Sequence, residues 1–202
     1  MAGRRPQPYF QGELDGLCGI YSVINGLHWA LHTLRSQRNR RARQVRPLTE
    51  SECHDLFSCL LVCMILHHET VQPAVDGLNS RDLARLLHRG SSWLAERRAM
   101  RLTVVRPFHR RLRVPTPELR EAIGGHLAKP GTAAIVGIDP PWHHWTVVTR
   151  VSKIKLHLLD SSGERFASLR ERGSPGADCV GLVRPPLVYL LTVESLVRSR
   201  VT

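Results

Sequence analysis

The sequence predicts an α+β fold, and three observations carry that expectation. Apolar residues recur at helical spacing through the first half of the chain, they gather into short Val-, Ile- and Leu-rich runs after Pro130, and no internal repeat breaks the order. A chain of 202 residues, 42% hydrophobic and 23% charged, suits one domain with a core of its own. A helical half is expected over about 14–130 and a mainly antiparallel sheet half over about 131–195, within a single domain spanning 1–202.

From Cys18 onward Ile20, Val23, Ile24, Leu27, Leu31 and Leu34 step by three and four, the pattern of a helix with one buried face. Asp15 stands where its N-cap belongs. Residues 35–46 carry six arginines and little to bury, so they read as an exposed loop. Thr49, Glu50 and Glu52 open a second helix that should run through Leu66. Its apolar residues lie nearly all round, which predicts a central core helix. Residues 80–88 and 92–98 read as two shorter helices, each opened by a serine cap. Thr116 and Pro117 start another, which Gly124 and Gly125 should end. Strands are expected at 132–138, 145–151, 154–160 and 187–193, with 100–106 as a further candidate.

The charge is uneven: 29 Lys and Arg against 17 Asp and Glu give a formal +12. Such an excess suits an acidic partner or nucleic acid. However, 26 of the 29 cations are arginine, a skew that codon usage in a GC-rich genome can impose without selection for binding. The arginine clusters at 35–46 and 97–113 read most simply as solvated surface. The first has no aromatic to stack a base and the second has Phe108 with His109, so nucleic acid is not favoured. Five cysteines, at 18, 53, 59, 63 and 179, are an odd number and argue against a disulfide framework and for a reducing compartment. No signal-peptide core precedes Leu17, and the longest apolar run, 56–66, falls short of the ~20 residues a membrane helix needs. A soluble cytoplasmic protein without a membrane partner is the expectation.

Three segments hold the parts of a cysteine nucleophile site. Around Cys18 the sequence reads Gln11-Gly-Glu-Leu-Asp-Gly-Leu-Cys18-Gly19-Ile-Tyr-Ser-Val-Ile-Asn25. A thiol in the first turn of a helix faces unpaired N–H groups and the positive dipole end, which favours thiolate. Gly19 would let a substrate backbone approach, and the Cys18 N–H with an upstream amide such as Gln11 would hold an oxyanion. The second segment, Trp142-His143-His144-Trp145-Thr146-Val147-Val148, puts a histidine at the mouth of a strand. The third, Leu158-Leu159-Asp160-Ser161-Ser162-Gly163, ends the next strand on a carboxylate. A hairpin centred near Ser152 and Lys153 would bring positions 144 and 160 nearly opposite, so that Asp160 orients the imidazole.

These motifs together resemble the papain-like superfamily of cysteine peptidases, most closely its bacterial C39-like branch. The resemblance covers about thirty residues and leaves the middle of the chain unmatched. It implies a helical half and a sheet half, with Cys18 as nucleophile, His144 as base, Asp160 as the orienting residue and Gln11 as the oxyanion glutamine. Gln11 precedes the cysteine by seven residues where the family has six, so either the loop bulges by one or another donor takes that role. His143 and His144 point to opposite faces of a strand. The family's histidine directly precedes the hydrophobic run, which implies His144. Gly19 and Trp145 are the expected substrate contacts.

Each residue also has a plainer reading. Cys18 alone would be a buried helix thiol, and Asp160 with Ser161, Ser162 and Gly163 a turn. Cys59, Cys63 and His67 share one helix stripe, near Cys53, His54 and His68, but one stripe cannot close a tetrahedron, so core cysteines are expected and no metal or cofactor. The favoured function is a cysteine protease or isopeptidase acting on a protein or peptide substrate, an acidic one being suited to the net charge. The alternatives are acyl transfer, including glutamine deamidation or transglutamination, and a basic protein that binds nucleic acid or an acidic partner.

Overall fold

A computed structural model describes residues 6–11, 16–36, 45–68, 77–138, 144–169 and 183–196. The elements are α1 (Cys18–Arg35), α2 (Glu50–His68), α3 (Ser80–Arg98), β1 (Met100–Val105), α4 (Thr116–Leu127), β2 (Thr132–Ile138), β3 (His144–Val151), β4 (Lys155–Leu159), β5 (Phe166–Ser168) and β6 (Val183–Ser195). The strands form one antiparallel sheet in the order β1-β6-β2-β3-β4-β5. The expected α+β class is the one observed. β1 precedes α4 in the chain yet lies at the sheet edge, pairing Met100 with Ser195 of β6.

Strand alternation divides the core. Ile135, Val147, Tyr189 and Leu191 face α1, while Ala134, Val136, Val148 and Val188 face α4 through Leu119 and Ile123. On α1 the side chains of Ile20, Val23, Ile24, Leu27 and Leu31 are all buried. At roughly 1.5–3 kcal/mol for each such side chain, this stripe fixes α1 to the sheet and its first residue, Cys18, to the sheet's end.

α1, and not α2, is therefore the central helix. α2 buries only the stripe Cys53, Leu56, Leu60 and Met64, leaving Val62 and Leu66 exposed. Apolar composition all round it did not translate into burial because it packs on α1 and α3 from one side. Thr49 caps it reciprocally: Thr49 N–H donates to Glu52 Oε2 at 2.9 Å and Glu52 N–H to Thr49 Oγ1 at 3.3 Å. The two short helices expected at 80–88 and 92–98 are one continuous α3. Gly90 does not break it; a Cβ there would come within 3.3 Å of Val23 Cγ1, so the glycine marks the crossing of α3 over α1. Its cap is Asn79 rather than Ser80, accepting from Arg81 N–H at 2.8 Å and Asp82 N–H at 3.1 Å.

Other boundaries shift as well. α4 continues past Gly124 and Gly125 to Leu127. Its cap position is Pro115, one residue before the expected Thr116. β6 begins at Val183, four residues before the expected start; Val136 pairs with Val188 and Ile138 with Val183, so Pro185 and Pro186 lie within a break in register that spares them ladder bonds. The expected 154–160 strand is Lys155–Leu159, and the three-residue β5 adds a strand beyond those expected. Much of the 35–46 loop, together with Asp15, Trp142, His143 and Cys179, lies outside the described residues. The N-cap position of α1 is Leu17, with no side-chain cap bond.

Candidate active site

Cys18 opens α1, and the first intrahelical bond is Tyr21 N–H to Leu17 O at 3.1 Å. The Cys18 N–H therefore stands outside the helix ladder, as the first N–H groups of a helix do. The Cys18 side chain is buried and hydrogen-bonded to His144, the first residue of β3. His144 Nε2 lies 2.7 Å from Asp160 Oδ2, with side-chain exposures of 10% and 0%. A carboxylate only accepts, so Nε2 carries the proton and Nδ1 is the ring nitrogen left to exchange one with the thiol.

Burial works against the imidazolium, but the hydrogen bonds and charges of Asp160 and Cys18 outweigh it and push His144 up to about 9. Asp160 is held below the usual carboxylate range: burial raises it, while the bond and charge of His144 and the Ser162 hydroxyl more than compensate. Its other oxygen, Oδ1, accepts from Ser162 N–H at 2.9 Å, Ser162 Oγ at 2.6 Å and Glu164 N–H at 3.3 Å. Both carboxylate oxygens are thus committed, and the ring faces one fixed direction.

The hairpin reaches this geometry by a different register from the expected one. Val147 pairs with Leu159 and Arg150 with His157, with a one-residue irregularity between Val148 and Arg150. Continued in step, Asp160 lies across from Thr146, and His144 meets it along the diagonal. Cross-strand diagonals are within reach of a long side chain.

Gln11 is brought to the same place from the chain's start. Gln11 N–H donates to Ser161 O at 3.1 Å, and Ser161 Oγ donates to Gln11 Oε1 at 2.9 Å. With Oε1 accepting from Ser161, the donor end of the amide is the opposite one, Nε2. The segment carrying Gln11 is also pinned by Asn25, whose Oδ1 accepts from Tyr9 N–H at 2.8 Å and whose Nδ2 donates to Tyr9 O at 3.2 Å. Asn25 and Ser162 were not singled out from sequence. The signal for Asn25 was a polar residue on the buried face of α1, and for Ser162 the Asp-Ser-Ser turn.

Gly19 and Trp145, expected as substrate contacts, have packing surroundings. A Cβ on Gly19 would lie 2.7 Å from Leu78 Cδ1, so the glycine is what lets the segment before α3 close on α1. Trp145 is buried, donates Nε1–H to Leu78 O at 2.7 Å and packs edge-on to Tyr189.

Cys53 is buried in the core as expected, Cys59 is partly buried and packs against the core, and Cys63 is only partly buried, so the expected core role does not extend to it. Burial raises the Cys53 and Cys63 thiols. Beside Cys63, His67, His68 and Asp82 place ligand atoms within 4.8 Å of one another, Asp82 being the off-helix partner that the α2 stripe lacked. Arg85 donates to Asp82 Oδ1 at 3.1 Å and His68 Nε2 lies 3.0 Å from the same atom, so that oxygen is already engaged by two neighbours. Among the described residues no helix is long and apolar enough to cross a membrane. Compared with family models, curated proteins and solved structures, the chain matches none.

Proposed function

We propose that the protein is a cysteine hydrolase that cleaves a peptide or isopeptide bond in a protein substrate, with Cys18 as nucleophile. The observation that carries the reading is the hydrogen-bonded series Cys18, His144, Asp160, assembled from a helix start and two neighbouring strands. The helical and sheet parts, and the chain order Cys, His, Asp, are those that the papain-like resemblance implies. Four free thiols among the described residues agree with work in a reducing compartment such as the cytoplasm.

His144 draws the proton from Cys18, and the thiolate attacks the substrate carbonyl. The Cys18 N–H and Gln11 Nε2 hold the oxyanion, and Asp160 stabilises the imidazolium. His144 then protonates the leaving amine, and water attacks the thioester to free the acid and regenerate the thiol. The same acyl-enzyme serves deamidation or transfer when the leaving group is ammonia or an amine replaces water.

Incubating a proteome with wild type and with Cys18→Ala, followed by mass spectrometry, tests the proposal. New chain termini that require Cys18 are expected. A one-dalton gain at glutamine without scission would transfer the assignment to deamidation, and identical products from both proteins would refute nucleophilic catalysis by Cys18.

A further inference from the structure

α2 and α3 line an open groove of about 610 Å³, within the ~300–1,000 Å³ of ligand sites. His67 lines it from α2, and Arg81, Arg85, His88 and Arg89 line it from α3; no carboxylate lines it among the described residues. The three arginines follow one another at four-residue steps, a row about 12 Å long on one helix face. Two of them are already held in place. Arg85 donates to Asp82 Oδ1 at 3.1 Å, and Arg89 donates Nε–H to Cys59 Sγ at 2.8 Å, with Glu96 3.8 Å from its other end. Both keep part of the guanidinium exposed, so little side-chain freedom is lost when an anion binds.

The chemistry of the lining selects among anions. N–H groups at the start of α3 are spent on Asn79, so the groove has no backbone nest for a phosphate. No Phe, Tyr or Trp lines it, so the groove lacks the large aromatic platforms on which single-stranded nucleic acid stacks its bases. What it offers is a row of guanidinium forks, which suits carboxylates repeated along a chain. Its Arg81 end lies three residues after Leu78, the side chain packed on Gly19 beside the nucleophile.

We propose that this groove binds a carboxylate-rich segment of a protein and, resting on the reading of Cys18 as nucleophile, of the protein whose bond reaches that thiol. The +12 net charge then adds long-range attraction to a local site.

Fluorescence anisotropy of a dye-labelled decaglutamate peptide with the intact protein at low salt tests this. Arg81→Glu, at an exposed position, is expected to weaken binding at least about five-fold, and Arg81→Glu with Arg89→Glu further. Arg110→Glu makes the same change in net charge in the exposed segment before α4, and should weaken it less than about two-fold. Equal losses in the Arg81 and Arg110 variants would overturn the proposal, as would no binding by wild type or tighter binding of an oligothymidylate of equal charge. Because binding is read without turnover, failure here is distinguishable from failure of the Cys18 reading, and Cys18→Ala should bind the peptide as wild type does.

Discussion

Replacing Asp160 by Asn removes the negative charge 2.7 Å from His144 Nε2 while keeping the side chain's size. His144 is pushed from 6.5 up to about 9 in the folded protein, despite burial, by Asp160 and Cys18. A raised folded value means that the protonated ring contributes stability fully below pH 6.5, and that this contribution disappears as pH rises through about 9. Moving a group from 6.5 to about 9 corresponds to about 3 kcal/mol. Asp160 is itself ionised throughout this window in both folded and unfolded chains, so it adds no slope of its own. Urea unfolding followed by tryptophan fluorescence, at a series of pH values from 6.5 to above 9, reads the effect. Wild type should lose up to about 3 kcal/mol more than Asp160→Asn across the window, the variant keeping only what Cys18 supplies. A stability gap between the two proteins that stays constant from one end of the window to the other would refute the coupling.

Other outcomes follow from neighbouring contacts. Gly19→Ala pushes a methyl to within 2.7 Å of Leu78 Cδ1 and should cost about 1–3 kcal/mol by urea midpoint, with Leu78→Ala in the same chain recovering part of it. Gln11→Ala is expected to lower kcat by about 10²–10³ with little change in KM, as loss of an oxyanion donor does; an unchanged kcat would assign that role elsewhere. Asn25→Ala strands Tyr9 N–H and O and should destabilise by about 1–3 kcal/mol while lowering kcat through Gln11; intact stability would mean the clamp is dispensable.

The parts of the site written in local sequence were legible. Ile20 to Leu34 marked α1 by spacing alone, and that placed Cys18 at a helix start. The His-Trp-Thr-Val-Val run and the Leu-Leu-Asp that follows it marked adjacent strands, hence the His144–Asp160 pair. Features that depend on what lies across from a residue were not legible. Val62 and Leu66 look like core residues until it is known that nothing among the described residues packs on that side of α2. Gly90 looks like a break until Val23 is seen against it. The irregularity after Val148 moves the hairpin register, and no residue type announces it. The basic groove needs His67 and Arg85 on facing helices, and nothing in either segment alone announces that they meet.

The central claim is that His144 keeps Cys18 poised as a nucleophile, and alkylation of that thiol measures it most directly. Wild type and His144→Ala would be treated with iodoacetamide over a range of pH, and each cysteine followed by peptide mapping. At neutral pH Cys18 should be labelled ahead of Cys53 and Cys63, whose thiols burial raises. In His144→Ala that early reaction should vanish. Cys18 labelled at the same rate with and without His144 would contradict the account.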